Sequence, residues 1–322
     1  MQSIRNLSLK NTIEPPVKFL YNHNDQTFPG VISVDNRPLR EQRGYDGEDF
    51  FFFHYPDPES VPVRKALFRD YCRVIVPVDG DLLFRVEGRT FPLQSWDVLL
   101  LTENDIAKAD GDSGNTEYYE VGIKPAFLLK LSLPGNNLRT CFEQASESKR
   151  HVLRPEGEYL TRLQYCLDNL EKAYTGSEFG CKISSHAYLM LLLVWVNRCF
   201  AAGMDGIFPQ DTEISRVVDY IDEHLADDLL IDRLAERFGF SKYTLMHRFK
   251  EQTGFAVHHY ILQKRLRKIH ALILKGYPFM EASARCGFSD YSCFVRAFTK
   301  YYGLSPRKYY ERLKRQGRLQ IS

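Results

Sequence analysis

A duplicated segment in the last third of the chain constrains the fold more than any other feature. Residues 239–250 read GFSKYTLMHRFK, and residues 287–299 read GFSDYSCFVRAFT. Each copy follows a short stretch with helical patterning, and a short helix, a glycine turn and a second helix form a helix-turn-helix. Two matched copies are harder to obtain by chance than one. The sequence therefore predicts two such units, at 231–253 and 279–302.

Glycine and serine occupy matching positions in the two copies. Gly239 and Gly287 fall where the chain leaves a helix, a position that favours positive φ. Ser241 and Ser289 follow two residues later, where a helix N-cap is expected. We therefore expect the second helix of each unit to begin just after its serine.

The second helix of each unit has an apolar side and an opposite, outward side. Apolar residues mark the buried sides at Leu245 and Phe249, and again at Phe294 and Phe298. The outward sides mix donors with small and aromatic groups, as base edges in a major groove require. The predicted base-reading residues are Tyr243, Met246, His247, Lys250, Ser292, Val295, Arg296 and Thr299. Flanking residues predicted to lie at phosphates are Ser241, Lys242, Arg248, Asp290, Lys300, Arg307 and Lys308.

The charge of the chain is distributed unevenly. The formal net charge is only +2, but the residues after Asp211 hold 20 basic and 12 acidic side chains, a net of +8. The preceding residues carry a net charge of −6, and residues 241–322 alone hold 17 basic and 4 acidic side chains. This asymmetry indicates that the C-terminal part meets a polyanion, and double-stranded DNA is the expected partner.

A long helix is predicted between the two units, at about 256–275. Leu266, Ile269 and Ile273 form its apolar stripe, and Lys264, Arg265, Arg267 and Lys268 cluster nearby. Twenty residues at ~1.5 Å each span ~30 Å, close to the ~34 Å between successive major-groove faces of DNA. We therefore expect one rigid helix to hold the second helices of both units on one side of the duplex.

The stretch from Ile214 to about Lys314 resembles the DNA-binding domain of the AraC/XylS family. The second-unit signature of that family is GF-x-D-x-S-x-F-x-R-x-F-x-x-x-x-G-x-[ST]-P-x-x-Y. It is matched here from Gly287 through Phe298 and then at Gly303, Ser305, Pro306 and Tyr309. The resemblance covers about a third of the chain. It implies effector-controlled regulation of transcription, activation among its modes, with RNA polymerase as a candidate partner.

The N-terminal part is predicted to be mainly β. β-Branched runs at Val31–Val34 and Arg73–Val78 alternate with turn residues, and Asp79-Gly80 is a strong two-residue hairpin signal. Many short strands suggest a small barrel or sandwich, and this part resembles the cupin-like sensor barrel of the same family. The expected fold class is α+β. Its expected domains are a barrel at 17–133, a helical dimerisation segment at 134–202, a linker at 203–211 and a DNA-binding domain at 212–315.

The segment 156–202 is predicted to be helical. Its second helix, at about 178–200, is apolar on nearly every side, so it must be covered all round. Either an intramolecular core or a second copy of the chain provides the cover, and the second option predicts a homodimer. The longest apolar run, Tyr188–Val196, is shorter than the ~20 residues of a membrane span, so no membrane partner is expected.

The sequence offers little for catalysis. The barrel region holds only His23 and His54, without an HxH motif, and the chain lacks GxSxG, P-loop and GxGxxG motifs. We expect no enzyme activity, metal or cofactor; a cupin-type enzyme fused to a DNA-binding domain is the disfavoured alternative. The seven cysteines form no CxxC pair, which predicts reduced thiols and a cytoplasmic protein.

A small-molecule effector is expected in the barrel. A sugar or related metabolite suits an aromatic platform beside polar groups, and sugars are common effectors in the family that this chain resembles. The candidate effector-binding residues are His54, Arg73, Arg85 and Trp96. A sensor that responds to a partner protein instead of a ligand is the remaining alternative.

Overall fold

The computed structural model describes residues 43–46, 49–55, 71–80, 82–109, 116–204 and 212–315. The predicted strand Val31–Val34 and most of the predicted linker at 203–211 lie outside these residues. The strands are β1 (Arg43–Asp46), β2 (Phe50–Tyr55), β3 (Cys72–Asp79), β4 (Leu82–Val86), β5 (Arg89–Leu93), β6 (Val98–Leu101), β7 (Ala107–Ala109), β8 (Glu117–Ile123) and β9 (Val152–Leu153).

Helices dominate the rest of the described chain. The first four pack with the sheets and the last seven form the C-terminal part. They are α1 (Pro125–Leu131), α2 (Thr140–Ser148), α3 (Gly157–Thr175), α4 (Cys181–Ala201), α5 (Glu213–Glu223), α6 (Ile231–Arg237), α7 (Lys242–Thr253), α8 (Val257–Leu274), α9 (Phe279–Arg285), α10 (Tyr291–Tyr302) and α11 (Pro306–Arg315).

The described strands form two separate antiparallel sheets. One has the order β1-β2-β8-β3-β6-β9, and the other has the order β5-β4-β7. The α+β class is confirmed, but the sheets are not closed into the expected cupin-like barrel. Closure requires pairing between strands that are distant in sequence, which alternation within each strand does not specify.

The hairpin predicted at Asp79-Gly80 is wrong, because β3 and β4 belong to different sheets. The tight turn is instead Glu87-Gly88, which joins β4 to β5 with Val86 paired to Arg89. Its two residues have φ values of 51° and 75°, as a two-residue turn with positive φ at both positions requires.

Strand β2 shows how the layers are built. Its run of phenylalanines is buried on both faces: Phe50 and Phe52 pack toward helices α1–α4, while Phe51 and Phe53 pack toward the second sheet. A strand that is covered on both faces reads as a continuous apolar run rather than as alternation. The six-stranded sheet is therefore the middle of three layers. We call this part, residues 43–204 as described, the sensor region.

Helix α4 has a buried side and an exposed apolar side. Leu189, Leu192 and Leu193 are fully buried, whereas Ile183 is 73% exposed and Leu191 is 45% exposed. Among the described residues, α4 alone is long and apolar enough to cross a membrane, and 33% of that apolar window is buried. A single helix of this kind is weak evidence for a span, because core helices of soluble proteins share its length and composition.

The C-terminal helices contain the two predicted units. Helices α6 and α7 occupy 231–253, and we call them the first unit; α9 and α10 occupy 279–302, and we call them the second unit. The second helix of each unit supplies two fully buried core residues, which are Leu245, Phe249, Phe294 and Phe298.

Candidate nucleic-acid interface

Helix α7 begins and ends as its sequence predicts. Ser241 is the N-cap, and its Oγ accepts a hydrogen bond from the Thr244 backbone N–H at 3.1 Å. Gly239 precedes the cap with φ of 72°, and Gly254 ends the helix with φ of 80°. These positions fix the direction in which α7 leaves the turn, because only glycine adopts such φ values without strain.

Helix α10 is capped by Asp290, so the expectation of a cap at Ser289 is wrong. The Asp290 carboxylate accepts hydrogen bonds from the backbone N–H groups of Ser292 at 3.0 Å and of Cys293 at 3.3 Å. The hydrogen bond from the Ser292 backbone is the largest influence that lowers the pKa of Asp290. Asp290 therefore fixes the start of α10, and its position at a phosphate stays a prediction.

The predicted base-reading residues lie on the outward faces of α7 and α10. Tyr243 is 79% exposed and Met246 is 45% exposed, and the others are exposed except Val295, which is half-buried. The opposite sides of both helices are fully buried. Each second helix is 12 residues long and thus presents one exposed face that a major groove accommodates.

Several predicted phosphate-contacting cations already pair with carboxylates. Lys242 Nζ lies 2.9 Å from Asp232 Oδ2, and Arg248 Nη1 lies 2.7 Å from Glu213 Oε2. Arg307 pairs in the same way with a glutamate one turn later. Exposed pairs of this kind contribute little stability, so a phosphate can replace the carboxylate at small cost.

The Arg296 side chain lies along the outward face of α10. Its Nη2 donates a hydrogen bond to Cys293 Sγ at 3.1 Å, one turn earlier in the same helix. A guanidinium that is already oriented loses less conformational entropy when it forms a bidentate contact with a guanine edge.

Helix α8 is the rigid spacer between the units. It contains 18 residues, which at 1.5 Å per residue span about 27 Å, and its stripe of Leu266, Ile269 and Ile273 is buried. The sequence placed this helix to within a residue at each end. The ~34 Å spacing of the two reading faces stays a prediction.

Arg265 on α8 ties the segment before the first unit to the turn of the second unit, a role that sequence reasoning missed. Its guanidinium donates hydrogen bonds to the carbonyl oxygens of Leu225 at 2.9 Å, Asp227 at 2.8 Å and Gly287 at 3.0 Å. The first two carbonyls precede the first unit, and the third lies in the turn of the second. A Cβ at Gly287 would lie 2.6 Å from the Leu225 carbonyl oxygen, so the turn packs closely there.

His54, the first predicted effector-binding residue, lies in a groove of the sensor region. The groove has a volume of about 440 Å³. His54 Nε2 lies 2.6 Å from Glu117 Oε1, and its Nδ1 lies 2.9 Å from Glu171 Oε1. The residues that line the groove are His54, Asp168, Glu171, Lys172 and Thr175.

The other three predicted effector-binding residues do not line this groove. Arg73 pairs with Glu120 at 3.6 Å on the neighbouring strand. Arg85 donates a hydrogen bond to the Glu251 carbonyl oxygen at the end of α7. Trp96 packs against the core on the helix side of the six-stranded sheet. Sequence reasoning grouped them by chemical type, and the fold separates them.

Comparisons with known proteins agree with the C-terminal geometry. A helix-turn-helix domain model matches residues 234–312. The HTH-type transcriptional activators RhaS of Salmonella arizonae and Salmonella typhimurium are each 28% identical over 149 residues. Each match covers 46% of this chain and 53% of the relative, so the chain spans about half the length of these proteins.

The chain is also similar to solved structures. The C-terminal domain of AraT, a response regulator from Geobacillus stearothermophilus, is 27% identical and covers 35% of this chain and 90% of its own, with a TM-score of 0.32. Fatty-acid-bound ToxT from Vibrio cholerae is 14% identical and covers 84% of this chain and 96% of its own, with a TM-score of 0.34.

The capped helices, the matched outward faces and the family match define a helix-turn-helix domain. That domain is of the AraC/XylS type, as the sequence signature indicated. The relatives that the chain matches are transcriptional activators.

Proposed function

We propose that the chain is a sequence-specific DNA-binding transcription regulator that reads duplex DNA through α7 and α10. The observation that carries the proposal is the pair of capped helices whose buried sides are fixed and whose outward faces are exposed. The net charge of +13 over residues 241–322 supports a polyanionic partner. The regulator acts in the cytoplasm, and its likeness to activators favours activation through contact with RNA polymerase.

Selection from a pool of random-sequence duplexes tests the DNA-binding function. The full chain, and separately residues 205–322, should enrich a defined sequence. The affinity of each for that sequence should fall steeply as salt rises, because bound cations release counterions from the phosphates. A folded chain without salt-dependent binding, measured by fluorescence anisotropy, refutes the function.

The sensor region is proposed to bind a small polar effector such as a sugar or related metabolite. The groove beside His54 supports this, because its volume suits a small ligand and its walls offer carboxylates, an imidazole, an ammonium and a hydroxyl. Isothermal titration with a panel of sugars should give heat that His54→Ala removes and that exposed His258→Ala on α8 leaves unchanged. A sensor that answers to a partner protein gives no heat with any sugar.

The exposed apolar side of α4 is proposed to pack against a second copy of the chain. Ile183, Met190 and Leu191 stand exposed on a helix whose opposite side is core, as the predicted dimerisation segment requires. Leu191→Lys should convert a dimer to a monomer in sedimentation experiments, whereas the same change at exposed Thr161 on α3 should not. A wild-type chain that sediments as a monomer at micromolar concentration refutes the dimer.

A further inference from the structure

The second helices of the two units end with different charges. Helix α7 ends at Gly254 and helix α10 ends at Gly303, which are matching positions of the two copies. Three residues before these glycines the first unit has Glu251 and the second unit has Lys300. The last turn of α7 therefore carries a carboxylate where the last turn of α10 carries an ammonium group.

The C-terminal end of α7 is unfavourable for a negative charge when the helix is bound to DNA. The peptide dipoles of a helix already give this end about half a negative charge. Helix α7 has 12 residues, which at 1.5 Å each span about 18 Å, whereas a major groove is about 12 Å wide. A helix that enters the groove by its N-terminal turns leaves its last turn beside the phosphates. A cation at this end would offset the repulsion.

The sensor region supplies such a cation from strand β7. A Cβ at Gly254 would lie 2.6 Å from Lys108 Cδ and 3.6 Å from Lys108 Nζ, so this lysine side chain crosses the end of α7. The Gly254 backbone N–H donates to the Lys250 carbonyl oxygen, which places it one turn beyond that predicted base-reading residue. In the described part of the chain, a Cβ at Gly303 would have no atom within 4 Å.

The position of Lys108 is fixed by the small sheet. Strand β7 pairs with β4, and Lys108 lies directly opposite Arg85. Arg85 donates a hydrogen bond to the Glu251 carbonyl oxygen near the end of α7. A Cβ at Gly88, in the turn that follows β4, would lie 3.3 Å from Val218 Cγ2 on α5. The sheet therefore packs against the first unit and holds Lys108 beside the last turn of α7.

The described neighbours of Lys108 leave its charge unpaired. Like charges directly opposite each other on adjacent strands are destabilising, and Lys108 and Arg85 form such a pair. The Lys108 side chain is exposed and, among the residues that the structure describes, has no hydrogen bond or ion pair. The Glu251 carboxylate lies instead near His247, with Oε2 and Nδ1 4.0 Å apart. The Lys108 ammonium group is thus available to an anion outside the chain.

We propose that Lys108 is a phosphate-contacting residue of the first unit, supplied by the sensor region where the second unit has its own Lys300. The proposal rests on the proposed function of DNA binding. The anion is a backbone phosphate at the edge of the groove that α7 reads. The DNA-binding surface therefore extends beyond residues 212–315 onto strand β7.

A phosphate contact from Lys108 contributes affinity without sequence information. An ammonium group that neutralises a phosphate releases counterions and does not read the base edges. The first unit therefore binds DNA more strongly with the sensor region beside it than its own helices allow, whereas its base preferences remain those of α7.

The test uses the full-length chain and the duplex that it selects, with the association constant measured over a range of salt concentrations. Lys108→Gln should weaken binding about fivefold at about 0.1 M salt. The slope of the logarithm of the association constant against the logarithm of the salt concentration should fall in magnitude by about 0.9, because one phosphate contact is lost. The base preferences should not change, and Lys108→Arg should retain the wild-type slope.

Lys130→Gln is the matched control. Lys130 is also an exposed sensor lysine, but it lies on α1, which packs on the side of the six-stranded sheet away from the sheet of β5, β4 and β7. The substitution removes the same charge from the chain. The affinity of this variant and its salt dependence should both stay at the wild-type values.

Neutral methylphosphonates, placed one at a time along the selected duplex, identify the phosphate. One of them, beside the bases that α7 reads, should weaken binding of the wild type and of Lys108→Arg. The same methylphosphonate should have little effect on Lys108→Gln, because that variant has already lost the contact.

Two results overturn the proposal. One is an unchanged salt slope in Lys108→Gln, and if its thermal stability falls at the same time, Lys108 serves only the dipole of α7. The other is a Lys108→Gln variant that remains sensitive to every methylphosphonate that weakens the wild type. A failure of the proposed function is recognised separately, because then the wild type itself shows no salt-dependent binding.

Discussion

The two helix-turn-helix units share a sequence pattern but differ in what surrounds them. The core of the first unit includes Ile106 from the sensor region, whereas the described core of the second is built only from residues between 262 and 310. The second unit compensates with aromatic rings, among them Phe298, Tyr302 and Tyr309 in mutual contact. The difference shows that the sensor region contacts the first unit directly and leaves the second unit to its own core.

The outward faces of α7 and α10 also differ. The first unit presents Tyr243, Met246 and His247, whose large surfaces adapt to many base edges, while the second presents Arg296 between small side chains. A guanidinium forms bidentate hydrogen bonds with guanine, the commonest specific contact in a major groove. We therefore expect the second unit to specify sequence more strongly than the first.

The largest effect is expected from Phe298→Ala. Removing a fully buried phenylalanine costs about 3–5 kcal/mol of stability, and its contacts lie within the second unit and its flanking helices. Hydrogen exchange should therefore accelerate in α9 and α10 and stay near wild type in α6 and α7. Equal acceleration of hydrogen exchange in both units would show that they share a single cooperative core, and would contradict the difference between their cores.

Arg296→Ala should have the next largest effect. It should lower affinity for the selected duplex by about 1–3 kcal/mol and relax the preference at one base position. His247→Ala, at the matching position of the first unit, is the comparison and should cost less. A uniform loss over all DNA sequences would instead assign Arg296 to a phosphate.

The sequence predicted the units because their determinants are local. The glycines at 239 and 287 have the expected positive φ, and the bounds of α8 were placed to within a residue. The cap of α10 was misplaced by one position, because Ser289 and Asp290 are both good caps and adjacent. Only the hydrogen bonds in the structure distinguish them.

The contact between Glu87 Oε1 and Lys264 Nζ of α8, at 2.8 Å, was beyond sequence reasoning because the two residues are distant in the chain. Glu87 and Lys264 are charged residues of a kind usually found at the surface, and nothing near either indicates burial. Arg85 was expected in an effector site because the sequence does not reveal its partner. That partner, the Glu251 carbonyl oxygen on α7, is 166 residues away in the chain. Nothing in the sequence indicates the surface on which the Glu87-Gly88 turn docks.

The buried carboxyl of Glu87 makes the stability of the chain depend on pH. Burial raises the pKa of this carboxyl to about 7, and Lys264 opposes the rise. The charged or titratable groups that face it are Lys264, Tyr260, Arg267, Asp222 and Asp105. Unfolding returns the carboxyl to water and to its ordinary pKa of about 4.5. The folded state therefore binds a proton more tightly than the unfolded state.

It follows that the stability contributed by this buried carboxyl is fully present below pH ~4.5 and is lost as the pH rises through about 7. Glu87→Gln mimics the protonated carboxyl and should not lose this stability. The free energy of unfolding of the wild type, measured against that of Glu87→Gln, should fall by about 1.3 kcal/mol between pH 6 and pH 8. A variant that is less stable than the wild type at every pH would mean that the charged pair with Lys264 holds the contact.

The smallest effect is expected from substitutions at the N-terminal caps of α7 and α10. Ser241→Ala removes the acceptor for the Thr244 N–H and should cost about 1 kcal/mol of stability in the first unit. Ser289→Ala is the matched control in the second unit, because Ser289 is exposed and Asp290 already accepts hydrogen bonds from the backbone N–H groups of Ser292 and Cys293. Exchange in α10 should therefore be unchanged in that variant. Faster exchange in α10 of Ser289→Ala would show that Ser289 caps α10, as Ser241 caps α7.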